Sequence, residues 1–380
     1  MKSDWITVRL GEMCEIKNGY AFKSKDFCPL GVPVIKIKNV KPNQIIDSDF
    51  SYIPNSIAEE KSKWLIQKGD ILLTMTGNRA DGSPESWVGK AALFTLDGKY
   101  LLNQRVAAIK SINPKLDTEY LGYYLSSWES QLYFIKRANS SGGQANISPD
   151  IVKEYPIALP PIDEQKQIVL ILKSIDERIN NNHAINDNLQ QQAQAIYASM
   201  FIDNADPAWV QGHLSDLITV KYGKDHKKLA DGSYPVYGSG GIMRYVERPL
   251  YDKESVLIPR KGTLNNVMYV NQPFWSVDTM FYTEMKLPNV AKFVYHFVKA
   301  KDLASMNAGS AVPSMTTDIL NAMEVTIPSA SALEEFESLV APMYRAMQEN
   351  DIQSSKLSEL RDALLPKLMS GEIDVANIQL

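Results

Sequence analysis

The chain repeats itself at two different offsets. Trp5, Leu10, Lys17 and Gly19 return as Trp209, Leu214, Lys221 and Gly223, each 204 residues further on. A second block repeats at 168: Ser148 answers to Thr316, Asp150 to Asp318, Ile151 to Ile319, Ile157 to Val325 and Pro160 to Pro328. The same offset continues through Leu172/Val340, Ile175/Met343, Leu189/Leu357 and Ala195/Ala363. The first copy is therefore 36 residues longer than the second, and the extra length lies between its two matched ends. Two ungapped blocks in the same order constrain the fold strongly: one plan, built twice.

Each copy opens with a mixed region. Short apolar runs bounded by Gly, Pro and Asn predict strands at 34–40, 70–76 and 255–259. Helices are expected at 119–136 and 291–301, and a last strand at 155–159 and again at 324–327, each ending before Pro160 or Pro328. A long helix follows. From Asp163 to about Phe201 there is neither Gly nor Pro, and apolar residues recur mostly three or four apart, from Ile168 to Met200. The second runs from Leu333 to about Met369 and contains Pro342 and Pro366, which should kink it or mark its ends. At 1.5 Å per residue such a helix reaches roughly 55 Å. That exceeds the width of a domain, so part of each helix should pack on its twin. Asn182 and Asn350 interrupt the two apolar stripes at equivalent positions, where a polar residue can set coiled-coil register. The expected fold is α+β: two mixed α/β domains and two long helices pairing as an antiparallel coiled coil, with pseudo-two-fold symmetry.

Apolar residues make up 44% of the 380, ample for cores of this kind. No apolar run reaches the roughly 18 residues of a membrane span, and no signal-peptide pattern opens the chain, so a cytoplasmic protein is expected. Cys14 and Cys28 lack metal-ligand spacing and are expected as buried free thiols, with no metal site. The net charge of −4 does not advertise nucleic-acid binding, but its distribution is uneven. Lys and Arg outnumber Asp and Glu over 1–40 and over 221–261, whereas acid dominates 331–380.

Catalytic patterns are weak. Pro160-Pro161 sits between Leu159 and Ile162, which is not the Asn/Asp-Pro-Pro-aromatic motif of an adenine methyltransferase, and no P-loop spacing occurs. Pro149-Asp150 followed by Glu164-Gln-Lys166 matches a loose metal-nuclease pattern, but the second copy keeps only Asp318, and Glu164 suits a helix first turn. His183, His213, His226 and His296 are scattered. No catalytic residue is assigned.

Two like domains on a helical spacer suit a DNA site with two half-sites. Because the copies differ, the half-sites should differ, with unread bases between them. A coiled-coil scaffold with two protein-binding domains is the alternative. Here the residues carry a resemblance. Leu159-Pro-Pro-Ile-Asp-Glu-Gln-Lys-Gln-Ile168, Tyr234-Pro-Val-Tyr-Gly-Ser-Gly-Gly-Ile242 and Leu360-Arg-Asp-Ala-Leu-Leu-Pro-Lys-Leu-Met-Ser-Gly-Glu-Ile373 resemble, in order, segments of type I restriction-modification specificity subunits. The second helix departs from the pattern, opening on Pro328-Ser-Ala-Ser-Ala-Leu-Glu-Glu335. The resemblance implies target recognition domains at 1–160 and 204–328, spacer helices at 161–203 and 329–371, and a tail at 372–380. It also implies double-stranded DNA as ligand, two methyltransferase subunits and, for restriction, nuclease subunits as partners. S-adenosylmethionine would be held by those partners, with no cofactor in this chain.

Phosphate contacts give affinity and base-edge contacts give specificity. Lys221, Lys224, Lys227 and Lys228 are the phosphate candidates of the second domain. Tyr237, Ser239 and Gly240 lie in a loop that can approach the duplex closely, and Arg244, Arg260, Lys261, Thr263 and Asn265 follow. In the first domain the candidates are Lys36, Lys38, Asn39, Arg79, Asn103, Gln104 and Arg105, with Ser141, Gly143, Gln144 and Asn146 from a Gly-rich loop. Arg grips guanine bidentately and Asn does the same with adenine, which is why these types are singled out.

Overall fold

In the structure, a computed structural model that describes residues 4–78, 86–141, 144–306 and 314–375, the chain divides into two units. Met1–Asn181 with Gln353–Leu380 form the first and Asn182–Ile352 the second. The long helices are Ile162–Ala198 and Ala330–Met369, and each gives one half to each unit.

Both units are built around the same sheet. In unit 1 the strand order is Ala91–Leu93, Ile71–Thr74, Val106–Ser111, Cys14–Asn18, all antiparallel. In unit 2 it is Met268–Val270, Ser255–Pro259, Met280–Met285, Ile218–Tyr222, again antiparallel. The second strand in each order is buried throughout, which is why its sequence reads as an unbroken apolar run. Ile71 and Leu73 face one core while Leu72 faces another. Val256 and Ile258 are divided from Leu257 in the same way. A second sheet backs this one: Ser51–Ile53, Val32–Ile35, Tyr100–Leu102, Leu65–Ile66 in unit 1, and Gly241–Val246, Tyr234–Gly238, Trp275–Ser276 in unit 2. Each contains one parallel pairing at the matching place.

The likeness extends to single bonds. Gly19 N donates to Val106 O and Gly223 N to Met280 O; the next residue donates to Leu102 O or Ser276 O. A Cβ at Gly19 would lie 2.1 Å from Asn103 O, and at Gly223 2.0 Å from Val277 O, so glycine is required at both. Ser148 and Thr316 cap equivalent short helices by accepting from Ile151 N and Ile319 N. At these contacts the offset has fallen from 204 to 174, so thirty of the extra residues lie between Gly19 and Leu102. Nineteen of them (204 minus 185) precede Ile71, in the stretch that holds the Asn55–Glu60 helix and the Val40–Lys41/Gln44–Ile45 hairpin.

Each domain closes on the helices through one strand pair. Ile6–Arg9 lies antiparallel to Pro156–Leu159, and Val210–His213 to Glu324–Ile327. In unit 1, Trp5 Nε1 donates to Glu164 and packs beside Gly371, which ends the second long helix at φ +73. Gln165 is fully buried, accepting from Asp117 N and donating to the Lys115 and Pro160 carbonyls. The helices run antiparallel there, with Asp176 on Arg361. In unit 2, Trp209 packs on Phe201 and Phe201 on Phe336, while Asn186 meets Asp351, so the helices are antiparallel again.

Several expectations are adjusted. The 119–136 helix is two, Thr118–Ser126 and Trp128–Arg137, because Ser127 caps the second with its hydroxyl. The expected strand at 34–40 ends at Ile35 and gives way to a 3-10 turn, Ile37–Asn39. Neither Pro342 nor Pro366 ends the second long helix, which is continuous for 40 residues. It starts at Ala330, where the Ser329 hydroxyl accepts from Ala332 N in place of the Pro-Pro entry of the first helix. Cys14 is buried, but Cys28 is only half-buried; both are free thiols.

Candidate nucleic-acid interface

The sheet edge beyond strand Ile71–Thr74 forms a corner. Thr76–Gly77 pairs with Gln144–Asn146, Met75 N takes the Arg105 carbonyl, and Ile147 N takes Met75 O. Three side chains meet there. Arg105 Nη1 donates to Thr76 Oγ1 at 3.0 Å and to Asn146 Oδ1 at 3.1 Å, and Thr76 Oγ1 lies 2.8 Å from Asn146 Oδ1. Arg105 is exposed and makes no ion pair among the described residues. Its guanidinium has five N–H donors, so most remain for another acceptor. Gln104 and Gln144 are exposed beside it, and Asn103 accepts from Arg105 N.

Unit 2 has the same corner with other residues. Arg260 N takes the Thr279 carbonyl, Met315 N takes Arg260 O, and Lys261 bridges to Ser314. Thr76, Arg105 and Asn146 thus answer to Lys261, Thr279 and Ser314. Gly77 answers to Gly262, where φ is +85 and a Cβ would lie 2.6 Å from Ser239 Oγ. Arg260 Nη1 donates to Asp278 O, and its guanidinium lies 5.4 Å from the Tyr222 ring. Asn266 ties the corner to the Tyr234–Gly238/Gly241–Val246 hairpin by donating to Ser239 O. Thr76, Thr279 and Ser314 do not stand out in the sequence. The signal for Thr76 is a third offset, 185, which matches the run from Ile71 to Gly77 with that from Val256 to Gly262, and Thr279 and Ser314 answer to Arg105 and Asn146 at 174 and 168.

Other candidates are occupied elsewhere. Asn39 is buried, accepting from Lys36 N and donating to the Ile46 and Ser48 carbonyls, so it has nothing to offer a base. Lys36 donates to Ser51 and lies over the Phe27 ring; burial, and then Lys38, hold its ammonium below the ordinary lysine range. Lys38 pairs with Asp49, Arg244 with Asp231 and Lys221 with Glu284. Asn265 spends its amide on Asp302 and Ala304 N. Tyr237 is mostly buried and accepts from Gln272. Lys224, Lys227, Lys228, Gly240 and Thr263 are exposed, and the three lysines make no ion pair among the described residues. Arg79 and Gly143 lie outside the described residues, as does the side chain of Ser141.

The loose nuclease pattern finds ordinary partners: Asp150 pairs with Lys153 and Glu164 accepts the Trp5 indole. No group of three or more His, Cys, Asp or Glu able to hold a metal occurs among the described residues. Nor does any described helix have the length and apolar character to cross a membrane.

The middle of the helix pair carries a polar seam. Asn350 Nδ2 donates to Asn186 Oδ1 at 2.8 Å, Asn186 Nδ2 to Asp351 Oδ1 at 2.8 Å and to Met347 O, and the buried Asn182 to Asn350 O. Burial raises the Asp351 carboxyl above its ordinary range, partly offset by His183.

This fold defines a class: a duplicated α+β protein whose two mixed domains are each built onto one half of an antiparallel helix pair. The sequence model described as "Type I restriction modification DNA specificity domain" matches residues 2–191 and 208–336, and the chain belongs to that family. It is 22% identical to the type I restriction enzyme MjaIX specificity subunit of Methanocaldococcus jannaschii, over 99% of this chain and 95% of that one. Identity to the HindI specificity subunit of Haemophilus influenzae is also 22%, covering 98% and 100%. The crystal structure of a type I restriction-modification S subunit from M. genitalium shares the fold, with a TM-score of 0.55 at 19% identity over 96% of each chain.

Proposed function

We propose that this chain reads a bipartite, asymmetric DNA target and does no chemistry itself, serving instead to bring two methyltransferase subunits and, for restriction, nuclease subunits to the site. One observation carries the reading. The two corners share two backbone hydrogen bonds and one cross-strand pairing, yet one holds Thr76, Arg105 and Asn146 and the other Lys261, Thr279 and Ser314. A common scaffold with unlike polar side chains at one spot is what two reading sites for two different sequences require. Residues 1–160 and 204–328 are the recognition domains in this proposal, and 161–203 and 329–371 the spacer helices, with Asn182 and Asn350 fixing their register. Lys224, Lys227 and Lys228 grip phosphates, which reconciles DNA binding with a net charge of −4. S-adenosylmethionine belongs to the partners.

The test is methylome sequencing of cells carrying the chain with a methylating partner of its type. The expected result is adenine methylation at two short, unlike sequences separated by unread bases. Methylation by the partner that is identical with and without this chain overturns the proposal.

A further inference from the structure

In each unit one nine-residue helix brings the domain onto the long helices: Thr118–Ser126 in unit 1 and Ala291–Lys299 in unit 2. Each follows the equivalent strand, Val106–Ser111 or Met280–Met285. Their starts are 173 apart, so Glu119 answers to Lys292 and Tyr123 to His296.

These two positions, one turn apart, hold the long helices in both units. In unit 1, Lys173 Nζ donates to Glu119 at 2.8 Å, and the Tyr123 hydroxyl donates to Asp176 Oδ2 at 2.6 Å. Asp176 Oδ1 takes Arg361 Nη1 from the other long helix at 2.9 Å. In unit 2, Lys292 Nζ donates to Glu337 at 2.8 Å and to Glu254 at 2.9 Å. His296 Nε2 lies 2.9 Å from the Tyr344 hydroxyl, and its Nδ1 lies 2.7 Å from Gln194 Oε1 on the other long helix. Tyr344 stands 168 residues from Asp176, the offset of the duplication. The domain positions are shared, and the charge order of one pair is reversed, with Glu337 one turn before Ala341, the counterpart of Lys173. In the Glu119 and Lys292 pairs unit 1 puts the acid on the domain and the base on the rod, and unit 2 does the opposite, while Asp176 under Tyr123 is an acid on the rod in unit 1 as well.

We propose that these contacts are fastenings that fix the angle of each recognition domain on its helix pair, and so the length of DNA left unread between the half-sites. The inference rests on the DNA-reading function proposed above. Apolar packing alone lets a domain rock on a helix, because hydrophobic contact is non-directional. Charge-assisted hydrogen bonds have a set direction and length. In unit 2 the domain meets both long helices directly, through Tyr344 and Gln194, and in unit 1 it holds Asp176, which in turn holds Arg361 of the second long helix. Because the charge order is reversed, neither fastening can serve in the other's seat.

The experiment measures binding of the whole chain with its methylating partner to duplexes that carry both mapped half-sites, at the native spacing and at one base pair shorter and longer. Tyr123→Phe and Tyr344→Phe each remove one hydroxyl. Glu119→Lys and Lys173→Glu break a half-exposed pair whose loss does not threaten folding. Expected: each single variant keeps both half-site sequences, while its preference for the native spacing falls, roughly tenfold for Tyr123→Phe, whose hydroxyl meets a carboxylate, and severalfold for the others. The double variant E119K/K173E recovers the preference, which a general loosening of the core does not explain. Unchanged spacing discrimination in the single variants overturns the inference and leaves the function standing. A native chain indifferent to half-site sequence overturns both.

Discussion

Arg105 differs from several cations of the first domain in what it touches. Lys36, Lys38 and Lys68 rest on partners that use them, a serine hydroxyl or an aspartate. Arg105 instead rests on two neutral oxygens, of Thr76 and Asn146, which orient the guanidinium without neutralising it. Arg105→Ala is therefore expected to cost about 1–3 kcal/mol of discrimination at one base pair of one half-site, with the other half-site unaffected. Competition binding with every single-base variant of the target measures this. A uniform weakening across all variants would instead mark Arg105 as a phosphate contact. Lysine should not replace it, since an ammonium lacks the planar fork. At this scale the sequence is half legible. Arg105 and Asn146 are visible as types that read bases, but a linear chain gives no sign that positions 41 residues apart share a hydrogen bond. Asn39 and Asn265 look identical to Asn146 on paper. The Asn39 amide is consumed by its own turn, where an asparagine competes for nearby backbone groups, and the Asn265 amide by a distant loop, at Asp302 and Ala304.

The long helices were the easiest elements to read and still held surprises. A long apolar stripe with Pro160-Pro161 before it and Ser-Gly-Glu after its twin marks their ends within a few residues. Neither proline ends the helix, because Pro342 deletes a single backbone donor, a loss that a 40-residue helix absorbs. Equivalence marks Asn182 and Asn350 in the sequence, while Asn186 hides among its polar neighbours despite bonding to Asn350 more closely than Asn182 does. Asn350→Ala leaves Asn186 Oδ1 short of a donor in a partly buried seam. A double-mutant cycle on Asn186 and Asn350, followed by urea unfolding, should give a coupling of about 1 kcal/mol. Additive effects would mean that the two amides are independently solvated and do not hold register.

At the scale of the molecule, duplication is plain in the sequence, but what the two copies no longer share is not. His296 occupies in unit 2 the place that Tyr123 occupies in unit 1. Burial lowers the imidazole from its ordinary 6.5 to about 4. The ring is surrounded by Tyr344, Gln194, Tyr197 and Tyr295, with Lys292 one turn away on its own helix and Glu337 on the facing one. The folded state thus binds its proton more weakly than the unfolded chain. Its stabilisation is present above pH 6.5 and is lost as the pH falls toward 4. The full loss is on the order of 3 kcal/mol, and about 2 of it is incurred by pH 5. Tyr123 is pushed upward by burial and by its bond to Asp176, so it stays neutral throughout this window and costs unit 1 nothing. Mild acid should therefore separate the copies. Calorimetry at pH 7 and pH 5 is expected to show one part of the transition, carrying unit 2, moving down relative to the other. In the His296→Gln variant, which keeps an amide able to meet Tyr344 and Gln194, the two should move together. If native protein and variant shift alike, the imidazole is not what makes the second copy sensitive to acid.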